Sequence, residues 1–232
     1  MALSESQIGR YSRQLLLPGL GEAGQERLGA ARVRVVGAGP LAGPALLYLA
    51  QAGMGRLWVD DAAMVSPEDL SAWLYGPGDV GRPRSAAAAE ALRTANGLVE
   101  AEPFRAGNLP TAVLVASGAQ STDRVAAEEA RLLGLPHVVA EADGEGGAVT
   151  VIPAGSPCYK CAFRTGHGAI PTPAATAAVG ALAALELVLL VADVSQEPRG
   201  RRIDLVRGQP MARPTVRLPG CTCGAGANEG IP

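Results

Sequence analysis

Short apolar runs alternate with helical runs as far as Asp143, and this alternation constrains the fold more than any other feature of the sequence. Strands joined by helices form parallel sheets, because the crossover returns the chain to the same end of the sheet. We therefore predict an α/β protein with a doubly wound, mostly parallel Rossmann-like sheet and helices on both faces. The strand-like runs are Val33–Val36, Arg56–Val59, Ala112–Val115 and His137–Ala140, and the helical runs are Leu41–Ala52, Ser85–Ala95 and Asp123–Leu133.

The remaining segments complete one predicted domain that spans residues 1–223. Residues 1–30 are expected to form a helical arm interrupted at Pro18-Gly19, and residues 31–143 the nucleotide-binding-type half. Residues 144–223 form the C-terminal half, in which "GGAVTVIPAG", Ile203–Val206 and Thr215–Leu218 have strand character. Residues 224–232 are expected to be a flexible tail.

The composition argues against several classes of function. Among 232 residues, 48% are hydrophobic, which is enough to build a core. A net charge of −2 and an aromatic content of 3% provide neither a basic surface nor stacking platforms, so no nucleic-acid partner is expected. The N-terminal segment has no apolar core of the kind that secretory signals carry, and a cytoplasmic location is expected.

One apolar stretch, Ala174–Val194, is about long enough to cross a bilayer. It carries Glu186 and Asp193, and a carboxylate within lipid is costly. We therefore interpret it as a helix in the protein core or in a dimer interface and expect no membrane partner.

A candidate nucleotide site follows the first strand. Gly37-x-Gly39 permits a tight turn and lets phosphate approach the backbone at a helix N-terminus, although Pro40 removes one N–H donor. Asp60 and Asp61 follow the second strand, where an acidic side chain commonly binds a ribose. The alternatives are a turn that serves only packing and a solvated or helix-capping pair of acids.

The four cysteines form two close pairs that suit a tetrahedral zinc site. Such a site would attach the C-terminal segment to the sheet, and a disulfide is the alternative. The two histidines, His137 and His167, make no recognisable catalytic arrangement and are interpreted as structural. The cysteine pairs are Cys158 with Cys161 and Cys221 with Cys223.

Several motifs in the same order give the chain its resemblance to a known family. "RYSRQLLLPGLGEAGQERL", "VVGAGPLAGPALLYLAQAG", "DVGRPR", "GAVTVIPAGSPCYKC" and "LPGCTCG" together resemble the ThiF/MoeB/HesA family, relatives of ubiquitin-activating enzymes. The resemblance implies a dimer with structural zinc. It also implies ATP- and magnesium-dependent adenylation of the C-terminal glycine of a ubiquitin-like or sulfur-carrier protein, which requires cations around the phosphates.

Some positions that the resemblance assigns to nucleotide binding keep their chemistry. Gly37 and Gly39 match the nucleotide loop, and Asp61 matches the ribose-binding acid. Arg13 matches the arginine that reaches the partner protomer's ATP. Arg84 stands at the position of the phosphate-binding lysine, where it keeps the charge but changes the donor geometry.

Other positions that the resemblance assigns to catalysis are replaced. Ala63 stands at the second acid of the family's DxD element, and Ala119 at its magnesium-binding, catalytic aspartate. Asp69 replaces an asparagine and Ala72 a phosphate-binding arginine. Each lost charge should slow adenylation by orders of magnitude. Asp79 or Asp123 could replace the lost metal-binding acid from a neighbouring turn.

These substitutions leave three hypotheses. The leading one is a family member without adenylation chemistry, a zinc-containing scaffold or partner subunit in a homodimer or heterodimer. Its partner would be a ubiquitin-like or sulfur-carrier protein or an active family paralogue. The second is an active adenylyltransferase that binds ATP through Asp61, Arg84 and Arg13. The third is an NAD-binding oxidoreductase, for which the sequence contains no recognisable hydride-transfer site.

In all three, cysteine-based thiol transfer is not expected if zinc uses all four cysteines.

Overall fold

The computed structural model describes residues 3–162, 169–194 and 200–223. One eight-stranded sheet runs through these residues in the order β3-β2-β1-β4-β5-β6-β7-β8. Neighbours from β3 to β5 are parallel, and β6 to β8 extend the sheet antiparallel. The doubly wound sheet with a parallel half is thus confirmed. The strands are β1 (Arg32–Val36), β2 (Arg56–Asp60), β3 (Glu100–Pro103), β4 (Ala112–Val115), β5 (His137–Asp143), β6 (Gly146–Ile152), β7 (Arg201–Val206) and β8 (Gln209–Pro214).

Helices cover both faces of the sheet, because side chains alternate between two layers along each strand. In β1, Val33 and Val35 enter the larger core beneath α3 and α7, whereas Val36 enters a smaller core beneath α5. In β4, Leu114 and Val115 divide in the same way. The helices are α1 (Glu5–Leu15), α2 (Gly21–Ala30), α3 (Ala42–Gln51), α4 (Arg84–Ala95), α5 (Gln120–Leu132), α6 (Tyr159–Ala162) and α7 (Pro173–Ala192).

The last strand corrects one prediction. Thr215–Leu218 has no regular structure, and the final strand is β8 instead. Arg207 and Gly208 both adopt positive φ, which is typical of a two-residue hairpin turn, so pairing with β7 begins directly after them. It ends at Pro214, because its partner Arg201 is the first residue of β7. The short strand β3 was not predicted, since its alternating Glu100–Pro103 sequence is only weakly apolar.

Among the described helices, α7 alone is long and apolar enough to cross a membrane by length and composition, with a mean hydropathy of 2.2. A core helix of a soluble protein has the same properties. One face of α7 packs into the larger core through Val179, Ala183 and Leu187. Glu186 is buried and forms an ion pair with Arg201. The opposite face exposes Leu185, so α7 is a core helix with one open side.

Two predicted features lie outside the described residues. These are the flexible tail at residues 224–232 and His167, which belongs to the undescribed segment 163–168.

Candidate nucleotide cleft and metal centre

The strand order places a switch point between β1 and β4. From β1 the chain continues to β2 and β3 on one side, and β4 and β5 lie on the other. In open α/β sheets, ligands bind outside the carboxyl ends of strands at such a point. A cleft of about 640 Å³ opens there, which we call the switch-point cleft, and its walls include Gly37, Asp61, Arg84, Ser117 and Val125.

Gly37 makes the approach of the two loops at the switch point possible. Its φ is +101°, in the region that favours glycine, and a Cβ there would stand 2.6 Å from both the Ala116 carbonyl oxygen and the Ser117 Cα. At Gly39, by contrast, a Cβ would make only ordinary contacts, the nearest at 3.5 Å from Arg84 Nη1. The first glycine is therefore needed for packing whether or not a ligand binds.

Asp61 is held against the glycine turn. Its Oδ2 accepts a 2.8 Å hydrogen bond from the Ala38 N–H, and its Oδ1 accepts another of 2.8 Å from the Ala63 N–H. The Tyr75 hydroxyl donates to the Ala38 carbonyl from the other side at 2.7 Å. Burial raises the pKa of Tyr75, so the hydroxyl stays protonated as a donor. The turn is thus fixed by an acceptor and a donor from two neighbouring segments.

Arg84, the first residue of α4, reaches the same turn but is bound to a carboxylate. Its Nε and Nη2 donate 2.8 Å hydrogen bonds to the two carboxylate oxygens of Asp69, whose side chain is only 1% exposed. Asp69 Oδ2 also accepts from the N–H and hydroxyl of Ser66. Nη1 of Arg84 lies 3.5 Å from Asp61 Oδ2. All three guanidinium nitrogens of Arg84 are therefore directed at acids.

The second arginine of the cleft is also paired. Arg34 Nη2 lies 2.6 Å from Asp60 Oδ2, and its Nη1 lies 3.0 Å from Glu129 Oε2. Its guanidinium stacks 4.3 Å from the Phe104 ring centroid. Two arginines and three acids, Asp60, Asp61 and Glu129, line the cleft, and Asp69 adds a further negative charge behind the wall. The walls are therefore slightly acidic.

One of the replaced positions, Ala63, lies in this cleft. Its carbonyl accepts from the Arg84 N–H at 2.9 Å. Ala119 precedes α5 as its N-cap, and Ala72 ends the short 3-10 helix Pro67–Ala72. Alanine, at position 72 or 119, has no side-chain group that can bind phosphate or a metal ion.

The two aspartates that could replace the metal-binding acid differ in position. Asp123 is 2% exposed and accepts from the Ser117 hydroxyl at 2.7 Å and from its N–H at 3.0 Å. Burial raises the pKa of Asp123 to about 6, although the hydrogen bonds from Ser117 oppose this. It lines a second cleft of about 610 Å³ that shares Ser117 with the first. Asp79 instead caps its own loop at Gly76 and pairs with Arg82.

Arg13 lies apart from both clefts in the described chain. It occupies the last turn of α1 and is exposed to solvent. An apolar groove beside it runs between α1, α3 and α7, with Leu17, Tyr48 and Leu185 in its walls. All three of these side chains are more than half exposed.

The four cysteines converge beside the C-terminal half of α5. Their sulfur atoms lie within 4.8 Å of one another, with separations of 3.8 Å for Cys158–Cys161 and 3.7 Å for Cys158–Cys221 and Cys161–Cys223. All four are free thiols. Four Zn–S bonds of about 2.3 Å in a tetrahedron require sulfur separations of about 3.8 Å, and these three separations match that value. The Leu218 N–H, 3.4 Å from Cys161 Sγ, supplies the hydrogen bond that a bound thiolate accepts.

His137, by contrast, has no role in either site. Its Nδ1 lies 2.9 Å from the Leu135 carbonyl oxygen, and the side chain is 1% exposed. Burial lowers the pKa of His137, so its neutral form is favoured. This position agrees with the structural interpretation.

The fold and the cleft together define an α/β protein with a doubly wound, Rossmann-like sheet. The ThiF family model matches residues 11–225, and the chain belongs to the ThiF family.

Relatives and solved structures agree with this membership. Adenylyltransferase and sulfurtransferase MOCS3 of Bos taurus is 36% identical over 96% of this chain and 54% of that protein. SAMP-activating enzyme E1 of Haloferax volcanii is 33% identical over 100% of this chain and 94% of that protein. This chain spans about half the length of the MOCS3 relative from cattle. E. coli MccB with ATP has the same fold, with a TM-score of 0.78, 17% identity, and coverage of 95% of this chain and 75% of that chain.

The sequence did not reveal two residues that hold the walls of the cleft in place. Tyr75 carries no motif, and its contact with Ala38 depends on how the loop after β2 closes. Asp69 was recognised only as a substitution. The signal that could have identified its partner is the joint appearance of an acid at position 69 and arginine at position 84.

Proposed function

We propose that this ThiF-family protein lacks adenylation chemistry and acts as a zinc-containing partner subunit or scaffold in the activation of a ubiquitin-like or sulfur-carrier protein. The observation that carries the proposal is the Arg84–Asp69 ion pair. The cation at the mouth of the glycine turn is bound on two atoms by a buried carboxylate, and its third nitrogen lies 3.5 Å from Asp61, so two acids offset its charge.

The charges of the cleft support this proposal. Adenylation needs positive charge around the phosphates and a metal-binding acid near the reacting centre. Both arginines of the cleft are already ion-paired, and Ala63 and Ala119 supply no acid. Gly37, Gly39 and Asp61 keep the shape of a nucleotide-binding turn. The proposed protein thus keeps the walls of the pocket without the charges that a reacting triphosphate requires.

The proposed partner is a second family subunit, either another copy or an active paralogue. The exposed apolar groove between α1, α3 and α7 provides a surface that a dimer would bury. Arg13 beside it would then extend toward the partner's nucleotide site. The relatives' names, which include an adenylyltransferase and an activating enzyme, favour a carrier protein as the substrate of the assembly.

The further parts of the proposal follow from the cysteine cluster and the sheet. Zinc would be bound by Cys158, Cys161, Cys221 and Cys223 and would be structural, because four thiolates leave no open position. Residues 1–223 would form one domain, supported by the continuous sheet from β3 to β8. The expected location is the cytoplasm, where thiols stay reduced.

ATP–pyrophosphate exchange tests the proposal directly. The purified chain is assayed with magnesium and a panel of ubiquitin-like and sulfur-carrier proteins that end in Gly-Gly, beside an active family member as positive control. We expect no exchange above background from this chain alone, whereas the control exchanges with at least one carrier. Carrier-dependent exchange by the chain alone would refute the proposal.

An active adenylyltransferase with rearranged residues is the second candidate. It is favoured by Asp123, whose carboxylate lies where the two clefts share Ser117 and could approach a metal ion. On this hypothesis Asp61→Ala abolishes exchange and Asp123→Asn reduces it by orders of magnitude. If exchange persists unchanged in Asp61→Ala, this candidate is wrong.

A further inference from the structure

We propose that Asp69 determines the ligand charge that the switch-point cleft accepts, excluding polyphosphates and admitting neutral ligands such as a nucleoside. The inference deepens the proposed function and rests on it, since it names the ligand class of the same cleft. It is carried by the position of one ion pair relative to the glycine turn.

The ion pair stands at the place an anion would approach. A Cβ built on Gly39 would lie 3.5 Å from Arg84 Nη1 and 3.8 Å from Asp69 Oδ1, so both charges face the turn. Helix α3 begins just beyond, at Ala42, and no described side chain caps its N-terminus. The Gly43 N–H already donates to the Gly39 carbonyl and Pro44 has no N–H, so it is mainly the helix dipole that favours an anion there. The carboxylate of Asp69 opposes it at the same point.

While it stays paired with Asp69, Arg84 can offer an anion only Nη1, and this atom already lies 3.5 Å from Asp61 Oδ2. The carboxylate is 1% exposed and accepts two hydrogen bonds from Arg84. A buried carboxylate that loses its cation is strongly disfavoured. The remaining acceptor contacts of Asp69, to Ser66, come from neutral donors and carry no compensating charge. The bidentate geometry of arginine with a carboxylate makes this pair more rigid than a lysine pair.

A ligand without phosphates avoids this conflict. Asp61 retains acceptor capacity beyond its hydrogen bonds to Ala38 and Ala63, because each carboxylate oxygen has two lone pairs. It can therefore accept from a ligand hydroxyl. The apolar part of the wall includes the exposed side chain of Val125, against which a ring can pack. The cleft thus fits a hydroxylated ring compound better than a polyanion.

The test compares ATP with adenosine by calorimetry, with magnesium present, in the wild type and in Asp69→Asn. The variant keeps the shape and one oxygen acceptor but removes the negative charge that holds Arg84. We expect the ratio of ATP to adenosine affinity to rise at least tenfold in Asp69→Asn. A smaller rise, including no detectable ATP binding by the folded variant, would overturn the proposal.

Two further variants act as controls. Asp204→Asn removes a carboxylate on β7 that pairs with Arg202 on the same strand and with Arg213 on β8. This pair lies three strands beyond β4, and its loss should leave the ratio unchanged. The double variant Asp69→Asn/Arg84→Gln should not show the tenfold rise in the ratio of ATP to adenosine affinity, because the rise depends on the guanidinium that Asp69→Asn releases. A gain that persists in the double variant contradicts the role given to Arg84.

A measurement on the wild type decides the matter if Asp69→Asn does not fold. The Arg84 Nε–H signal is assigned by its absence in Arg84→Lys and followed by NMR during titration with ATP and magnesium. We expect it to stay at its position, because Asp69 retains the group; a shift on titration would overturn the proposal. Failure here is distinct from failure of the proposed function, since pyrophosphate exchange by the wild type tests only the latter.

Discussion

At the scale of single residues, Asp123 shows how burial changes a side chain that the sequence presents as an ordinary surface acid. It lies in the first turn of α5, where an acid is normally solvated. In the structure it is buried and holds the loop after β4 through the N–H and hydroxyl of Ser117. The sequence indicated the acid's place in the chain, but its burial depends on the packing of α5 against β4 and β5.

This burial predicts a pH dependence of stability. Because the pKa of Asp123 is raised to about 6 from 3.8, the folded state binds the proton more tightly than the unfolded state. Protonation of Asp123 therefore raises the free energy of unfolding as pH falls from about 6 to 3.8, and this stabilisation is lost as pH rises through the same range. Relative to the wild type, Asp123→Asn should gain about 2 kcal/mol between pH 4 and pH 8. Urea unfolding at several pH values measures it, and parallel curves would contradict the prediction.

At the scale of elements, the contact between α3 and α7 requires a glycine at a position where helix propensity favours alanine. Gly180 lies inside α7, where alanine is ordinarily better by about 1 kcal/mol. A Cβ at this position would stand 2.4 Å from the Leu41 carbonyl oxygen at the start of α3. The glycine therefore sets the distance between two helices that cover the larger core.

We expect Gly180→Ala to lower the free energy of unfolding by about 1–3 kcal/mol, because the helices must separate. Gly9→Ala is the matched control, since Gly9 also lies within a helix, α1, and a Cβ there meets nothing within 4 Å. The control should gain up to about 1 kcal/mol. Chemical denaturation measures both changes. Equal effects from the two variants would show that the close approach does not limit stability.

At the scale of the whole molecule, the cysteine cluster joins segments that are far apart in the chain. Residues 215–223 have no strand or helix, and their sulfur atoms meet those of the segment around α6. A bound zinc ion would therefore attach the end of the described chain to the face of the sheet that α5 covers. The large core beneath α3 and α7 contains none of the four cysteines.

Metal removal should consequently loosen one region rather than unfold the molecule. We expect about one zinc ion per chain, and chelation should increase hydrogen exchange in residues 200–223 much more than in β1 and β4. Cys223→Ser should reproduce the effect, because three thiolates no longer close the tetrahedron. Elemental analysis and exchange mass spectrometry measure these outcomes. Absence of zinc, or a uniform increase in exchange, would be contrary to a structural clip.

The alternating strands and helices, the glycine turn after β1 and the two cysteine pairs could all be predicted from the order of residues alone. Local periodicity, positive-φ glycine and thiol chemistry are properties of neighbouring residues and can be recognised without coordinates. The pairing of Arg84 with Asp69, the burial of Asp123 and the close approach of two helices at Gly180 became visible only in the folded chain. These depend on contacts between segments whose approach is determined by packing, and packing is not encoded in any single stretch of chain.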